Sequence, residues 1–159
     1  MSRAVDGTCE RAFAAGAFIC MKGDPVDAWM GIIDGLGKMA SFWTTGKTTS
    51  LIGISTGGWF GEGSLLKNEP RRYDVMALRA TRVAFMNRST FLWLMDHSIA
   101  FNRYLITQLN ERLGQFIGMM ENERLLDPDA RIARCLAGLF NPVLYPGTSR
   151  LLQISQEEL

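Results

Sequence analysis

Gly58-Trp59-Phe60-Gly61-Glu62-Gly63-Ser64-Leu65-Leu66-Lys67-Asn68-Glu69-Pro70-Arg71 is the stretch on which the fold turns. An apolar, strand-like run, Leu51-Ile52-Gly53-Ile54, leads into it. Closely spaced glycines let the backbone turn where a side chain would clash. Residues 62–66 are expected to form one helical turn, whose unpaired N–H groups suit an anion. Arg71 and Arg72 then present guanidinium forks that match phosphate oxygens. Glu62 stands where a carboxylate can accept from a sugar hydroxyl. Gly61, Glu62, Gly63, Ser64, Arg71 and Arg72 together read as a site for a small phosphate-and-sugar ligand.

Outward from this stretch, short apolar segments alternate with turn signals. The segments are 17–20, 29–33, 38–42, 49–54, 74–78 and 82–86, and each reads as a strand. Lys22-Gly23-Asp24-Pro25, Asp34-Gly35, Thr45-Gly46-Lys47 and Asn68-Glu69-Pro70 are the turns between them. Strands about ten residues apart point to an all-β sandwich or barrel.

The periodicity changes after residue 88. Ser89 is expected to cap a short helix over 90–95. A long helix is predicted over 99–125, where no proline occurs. Ile106, Leu109, Leu113, Phe116 and Met120 follow alternating steps of three and four, a heptad-like seam. The seam either packs on the strand domain or joins two copies as a dimer helix. Asp127 is the expected N-cap, with Pro128 at the first position, of a helix reaching about Phe140. Leu151-Leu152-Gln153-Ile154 reads as a strand, and Ser155 with Glu158 as the opening of a further helix. A helix that opens without a body leads us to expect a truncated chain.

Composition bounds the function. The chain has 159 residues, 47% hydrophobic and 21% charged, enough for a sizeable core. A net charge of +1 gives no overall drive onto nucleic acid. Cys9, Cys20 and Cys135 lie far apart in no metal-ligand spacing and read as reduced thiols, with Cys135 expected in the core of its helix. No apolar run is long enough to span a membrane, so a cytoplasmic protein is expected. His97 is the only histidine and reads as a surface or cap residue; no metal site is expected. No nucleophile–base pair or carboxylate dyad stands out, so no enzymatic activity is expected.

Taken together these residues resemble the Crp/Fnr superfamily of bacterial transcription regulators. Residues 16–86 look like its cyclic-nucleotide-binding jelly roll, with Glu62 and Arg71 nine residues apart as in its phosphate-binding cassette. The resemblance implies an α+β fold in three parts. A jelly-roll (double-stranded β-helix) sensor would span 1–98, a central dimerisation helix 99–126, and the first part of a winged helix-turn-helix domain 127–159. It implies that Glu62 accepts the ribose 2′-hydroxyl and that Arg71 pairs with the cyclic phosphate. Backbone N–H groups at Gly61 to Ser64 and at Arg72 would assist. Phe116 and Ile117 fall where the family's base-contacting residues lie. It further implies a homodimer seamed by Ile106, Leu109, Leu113, Phe116 and Met120, DNA binding once the winged helix is complete, RNA polymerase as a further partner, and no membrane.

The chain departs from that pattern in ways that bear on the effector. Gly63 replaces a large apolar residue, and Arg72, Tyr73 and Asp74 replace small or hydroxylated ones. Asp74 could pair with an arginine in competition with phosphate. Phe116 and Ile117 offer no hydrogen bonds, although Phe116 can stack on a base. Three alternatives therefore stand: cyclic AMP, another anionic or nucleotide effector, or a ligand-independent pocket. At the level of the whole chain, a stand-alone nucleotide sensor gating a partner protein is the alternative to a transcription regulator.

Overall fold

The computed structural model describes residues 2–42, 48–125, 127–148 and 154–155. Eight strands form two four-stranded antiparallel sheets. In chain order they are β1 (Thr8–Phe13), β2 (Phe18–Cys20), β3 (Ala28–Asp34), β4 (Leu36–Phe42), β5 (Thr48–Ser55), β6 (Trp59–Phe60), β7 (Asp74–Ala77) and β8 (Thr81–Asn87). One sheet runs β1-β8-β3-β6 and the other β2-β7-β4-β5. Neighbours that are distant in sequence identify a jelly roll rather than a meander. The helices are α1 (Ser2–Asp6), α2 (Glu62–Lys67), α3 (Arg88–His97), α4 (Ile99–Leu125) and α5 (Pro128–Gly138).

Each of the six predicted strands is present. β1 and β6 escaped the sequence reading for different reasons. β1 is Thr-Cys-Glu-Arg-Ala-Phe and mostly exposed, so it lacks an apolar signal and is held by register against β8, from Thr8↔Met86 to Phe13↔Thr81. β6 is two residues long and pairs with β3 only through Met30↔Phe60 and Gly31↔Trp59. The Thr45-Gly46-Lys47 turn lies outside the described residues, as do Leu151-Leu152-Gln153 and, after Ser155, the expected last helix.

β3 explains how one strand serves two cores. Successive side chains point to opposite faces. Met30 and Ile32 enter the inter-sheet core with Ile54, Phe60, Val75 and Val83. Trp29 points the other way, into a second cluster with Leu65, Met86, Phe91 and Leu105. Trp29 stacks on Trp59 with ring centroids 4.3 Å apart and meets Phe91 and Phe101 edge-on. Gly31 makes this possible, since a Cβ there would stand 2.6 Å from the Trp59 indole. The aromatic cluster fastens α3 and the first turns of α4 to the sheet that carries β6.

The helix boundaries correct two expectations. α3 is capped by Asn87, whose Oδ1 accepts from Thr90 N at 2.8 Å, and not by Ser89. Ser89 Oγ donates to the same Asn87 Oδ1. α5 has the expected Asp127 cap, accepting from Ala130 N at 2.9 Å, and the expected proline at its start, but it ends at Gly138 rather than Phe140. Cys135 is exposed, because α5 buries no residue of its own. The chain after α5 behaves differently. Leu139, Leu144 and Tyr145 are buried, and the last two belong to the jelly-roll core.

Candidate functional site

The stretch that opened the sequence reading becomes β6, a left-handed turn at Gly61, and α2. Gly61 has φ +91, and a Cβ there would run into the Arg71 guanidinium. Only glycine takes this backbone without strain. The turn swings Glu62 inward, so it is 6% exposed although it heads a surface helix. α2 ends at Asn68, also left-handed, with Glu69 N donating to Ser64 O.

Arg71 is 4% exposed. Its backbone is clipped by the turn at 22–25: Arg71 N donates to Asp24 O at 2.9 Å and Gly23 N to Arg71 O at 2.8 Å. Its Nη2 donates to Ala28 O at 2.6 Å, while the buried Nη1 has no protein partner. Glu62 is in the same condition. Its Oε1 faces Arg112 Nε at 3.8 Å and its buried Oε2 has no partner. Buried polar groups are ordinarily paired, and among the described residues these two unpaired atoms, of opposite charge type, lie on residues that flank or meet the Gly61 turn; Arg112 Nε, facing Glu62, is a third.

Arg112, on α4, was missed by the sequence reading. Its Nη2 donates to Trp59 O at 2.6 Å while its Nε faces Glu62, so one guanidinium ties the long helix to both ends of the β6–α2 turn. The available signal was the stripe Leu105, Gln108, Arg112 and Gln115, spaced by three and four on one helix face. Leu105 and Gln108 are buried on that face. Tyr73 completes the surroundings. Burial pushes its hydroxyl well above the ordinary phenol range, with Glu62 adding to the rise and Arg112 opposing it. Cys20, beside Arg71, is pushed up to about 11, mainly by burial.

The structure does not gather all the expected residues. Arg72 points to solvent and pairs with Glu69, the two side chains 68% and 37% exposed, away from Arg71 Nη1. Gly63 is exposed, with open space where a Cβ would be. Ser64 is buried and its Oγ donates to Pro70 O at 3.4 Å. Asp74 is buried, its Oδ1 accepting from Lys22 N at 2.8 Å. Phe116 packs against the jelly-roll core, whereas Ile117 is 51% exposed. Of the seam, Ile106, Leu109, Leu113 and Met120 are exposed, and Ile117 rather than Phe116 continues their stripe. His97 is exposed, its Nδ1 within 2.9 Å of Trp93 O and its ring stacked on Trp93. Among the described residues no group of His, Cys, Asp and Glu could hold a metal ion, and no helix is long and apolar enough to cross a membrane.

A double-sheet jelly roll with a glycine-turned helix, an inward carboxylate and a buried arginine is the frame on which the comparisons bear. Residues 10–98 match the model of the cyclic nucleotide-binding domain, and the chain belongs to that family. Its fold is similar to the Thermus thermophilus catabolite activator protein, with a TM-score of 0.65 and 22% identity over 76% of this chain and 56% of that one. It is also similar to CLP, the c-di-GMP-responsive global regulator of Xanthomonas campestris, with a TM-score of 0.69 and 19% identity over 88% of this chain and 70% of that one. The regulatory domain of Toxoplasma gondii PKA, solved with cAMP, matches with a TM-score of 0.58 and 25% identity, over 69% of this chain and 41% of that one. The structural neighbours thus include Crp/Fnr-type bacterial regulators, and the chain spans little more than half the length of the Thermus protein. No curated protein matches the sequence.

Proposed function

We infer that this chain is the sensing and dimerising part of a Crp/Fnr-type transcription regulator, and that its cassette takes a cyclic nucleotide or a closely related anionic effector. The observation that carries this reading is the pair of orphaned buried atoms, Arg71 Nη1 and Glu62 Oε2, on either side of the Gly61 turn. A guanidinium N–H suits a phosphate oxygen and a carboxylate suits a sugar hydroxyl. The Toxoplasma domain solved with cAMP supports the nucleotide class.

Arg112 makes occupancy of Glu62 legible to α4, because both groups meet at one guanidinium. The exposed stripe Ile106, Leu109, Leu113, Ile117 and Met120 is the proposed contact with a second copy. A sensor that moves such a helix pair changes the spacing of whatever follows it, which is how paired DNA-reading domains are switched.

The test is isothermal titration of cyclic AMP and cyclic GMP into the chain. Glu62→Gln and Arg71→Lys serve as variants that keep size and hydrogen-bonding reach. Binding that weakens at least about tenfold in each variant, the equivalent of one charge-assisted hydrogen bond, supports the reading. No heat from either nucleotide with folded protein overturns the cyclic-nucleotide part of the reading.

A further inference from the structure

Residues 141–148 form a compact strap that the sensing function does not use. Asn141 shapes it: Asn141 Oδ1 accepts from Val143 N at 2.9 Å and Leu144 N at 3.0 Å, and Asn141 O accepts from Tyr145 N at 2.9 Å. The strap does not lie on the surface. Leu144 is 1% and Tyr145 3% exposed, in one core with Met30, Ile54 and Phe60, against which Tyr73 and Phe116 also pack. Four polar contacts hold it there. Tyr145 Oη donates to Gly53 O at 2.9 Å and Gln108 Nε2 to Val143 O at 2.5 Å. Ser55 Oγ and Thr148 Oγ1 lie 2.6 Å apart, and Asn141 Nδ2 donates to Glu111 Oε2 at 3.1 Å. The glycines before the cassette are its seat, since a Cβ at Gly58 would stand 2.7 Å from the Tyr145 ring and one at Gly57 2.7 Å from Gly147 N.

This seat adjoins the cassette. Gly58 precedes Trp59, whose carbonyl accepts from Arg112, the residue facing Glu62. Arg112 and Gln115 both act on the Tyr145 hydroxyl as well. On the cassette reading, a nucleotide with its sugar on Glu62 sits against Arg112, and Arg112 also acts on Tyr145, so the strap and the cassette share one guanidinium.

We propose that the 141–148 strap is a built-in competitor of the effector: seated beside the cassette it holds the chain in an unliganded form, and a bound nucleotide displaces it. This rests on the cassette reading above and adds to it a route out of the sensor. The strap follows α5 directly, so its release frees the segment through which any following domain is attached to the sensor. A ligand shifts such an equilibrium only by binding one form better, and the seated form lowers the apparent affinity by the fraction of chains it holds.

Two measurements decide it. The first is titration of cyclic AMP and cyclic GMP into the wild type and into Asn141→Ala/Tyr145→Phe, which weakens the strap while leaving the core side chains in place. The variant is expected to bind about tenfold tighter, as when the advantage of the seated form is lowered tenfold. The second is amide hydrogen exchange on the wild type, which needs no variant to fold. Added nucleotide is expected to speed exchange at Tyr145 and Thr148. Equal or weaker binding by the variant, or slower exchange across 141–148 on adding nucleotide, makes the strap a wall of the pocket and overturns the competition. If both proteins are folded and neither binds, the cassette reading itself fails, and the competition with it.

Discussion

At Gly61 a single backbone angle sets the site. Its left-handed φ turns Glu62 inward and leaves no room for a Cβ beside Arg71. Gly61→Ala is expected to cost about 1–2 kcal/mol from the backbone alone, read by chemical denaturation, and to displace the arginine. Arg112→Ala leaves Glu62 facing the interior without its cation and is expected to cost about 2 kcal/mol by the same measurement. Cys20 carries a pH prediction. Burial raises its folded pKa to about 11 from an ordinary value of 9.0, so between those values the folded form holds more protons than the unfolded form. The group therefore leaves stability unchanged below about pH 9 and lowers it as pH climbs toward 11. Alkylation at pH 8 followed by mass spectrometry is expected to label exposed Cys9 and Cys135 well before Cys20. The sequence made Glu62, Arg71 and Gly61 legible because their spacing is local. It did not make Arg112 legible, because that residue meets Glu62 from 50 positions further along the chain, on a helix face that only the assembled fold turns toward the sandwich.

α4 shows how one helix serves two surfaces. Its 27 residues reach about 40 Å at 1.5 Å per residue, beyond what the sandwich covers. Leu105 and Gln108 face the sandwich, while Ile106, Leu113, Ile117 and Met120 face away. The two readings of the seam thus belong to different faces of the same helix. A step of one residue, from Phe116 to Ile117, separates inside from outside, which periodicity alone does not resolve. If the outer stripe joins two copies, Leu113→Glu is expected to halve the sedimenting mass; an unchanged mass sinks the dimer contact. The caps are a second element-scale matter. Asn87→Ala removes the acceptor for Thr90 N and is expected to cost about 1 kcal/mol, whereas Ser89→Ala costs less, both read from urea midpoints. Both residues are good caps by type. The choice between them came from where β8 ends, at Asn87, still paired with Ala28.

At the scale of the whole molecule, Leu144 and Tyr145, from the stretch expected to begin a separate domain, supply part of the jelly-roll core. Leu144→Ala is expected to lower stability by about 2–5 kcal/mol, as for other large-to-small core changes. Because Leu144 packs with Ile54 and Phe60, the loss should shift one cooperative melting transition. A separate early transition for the 139–148 segment would show that the strap folds apart from the sandwich.

The sequence by itself determined the strands with apolar alternation, the glycine-turned cassette, the long helix and the Asp127-Pro128 helix start. Each of these rests on neighbours in the chain: period, propensity and turn chemistry act over a few residues. Only the tertiary structure decided that Arg72 pairs outward with Glu69, that Arg112 meets Glu62, that β1 belongs to a sheet through β8, and that Leu144 and Tyr145 close the jelly roll. Those outcomes depend on which surfaces the two sheets and α4 leave uncovered. Burial is a property of the assembled whole, and no local pattern encodes it.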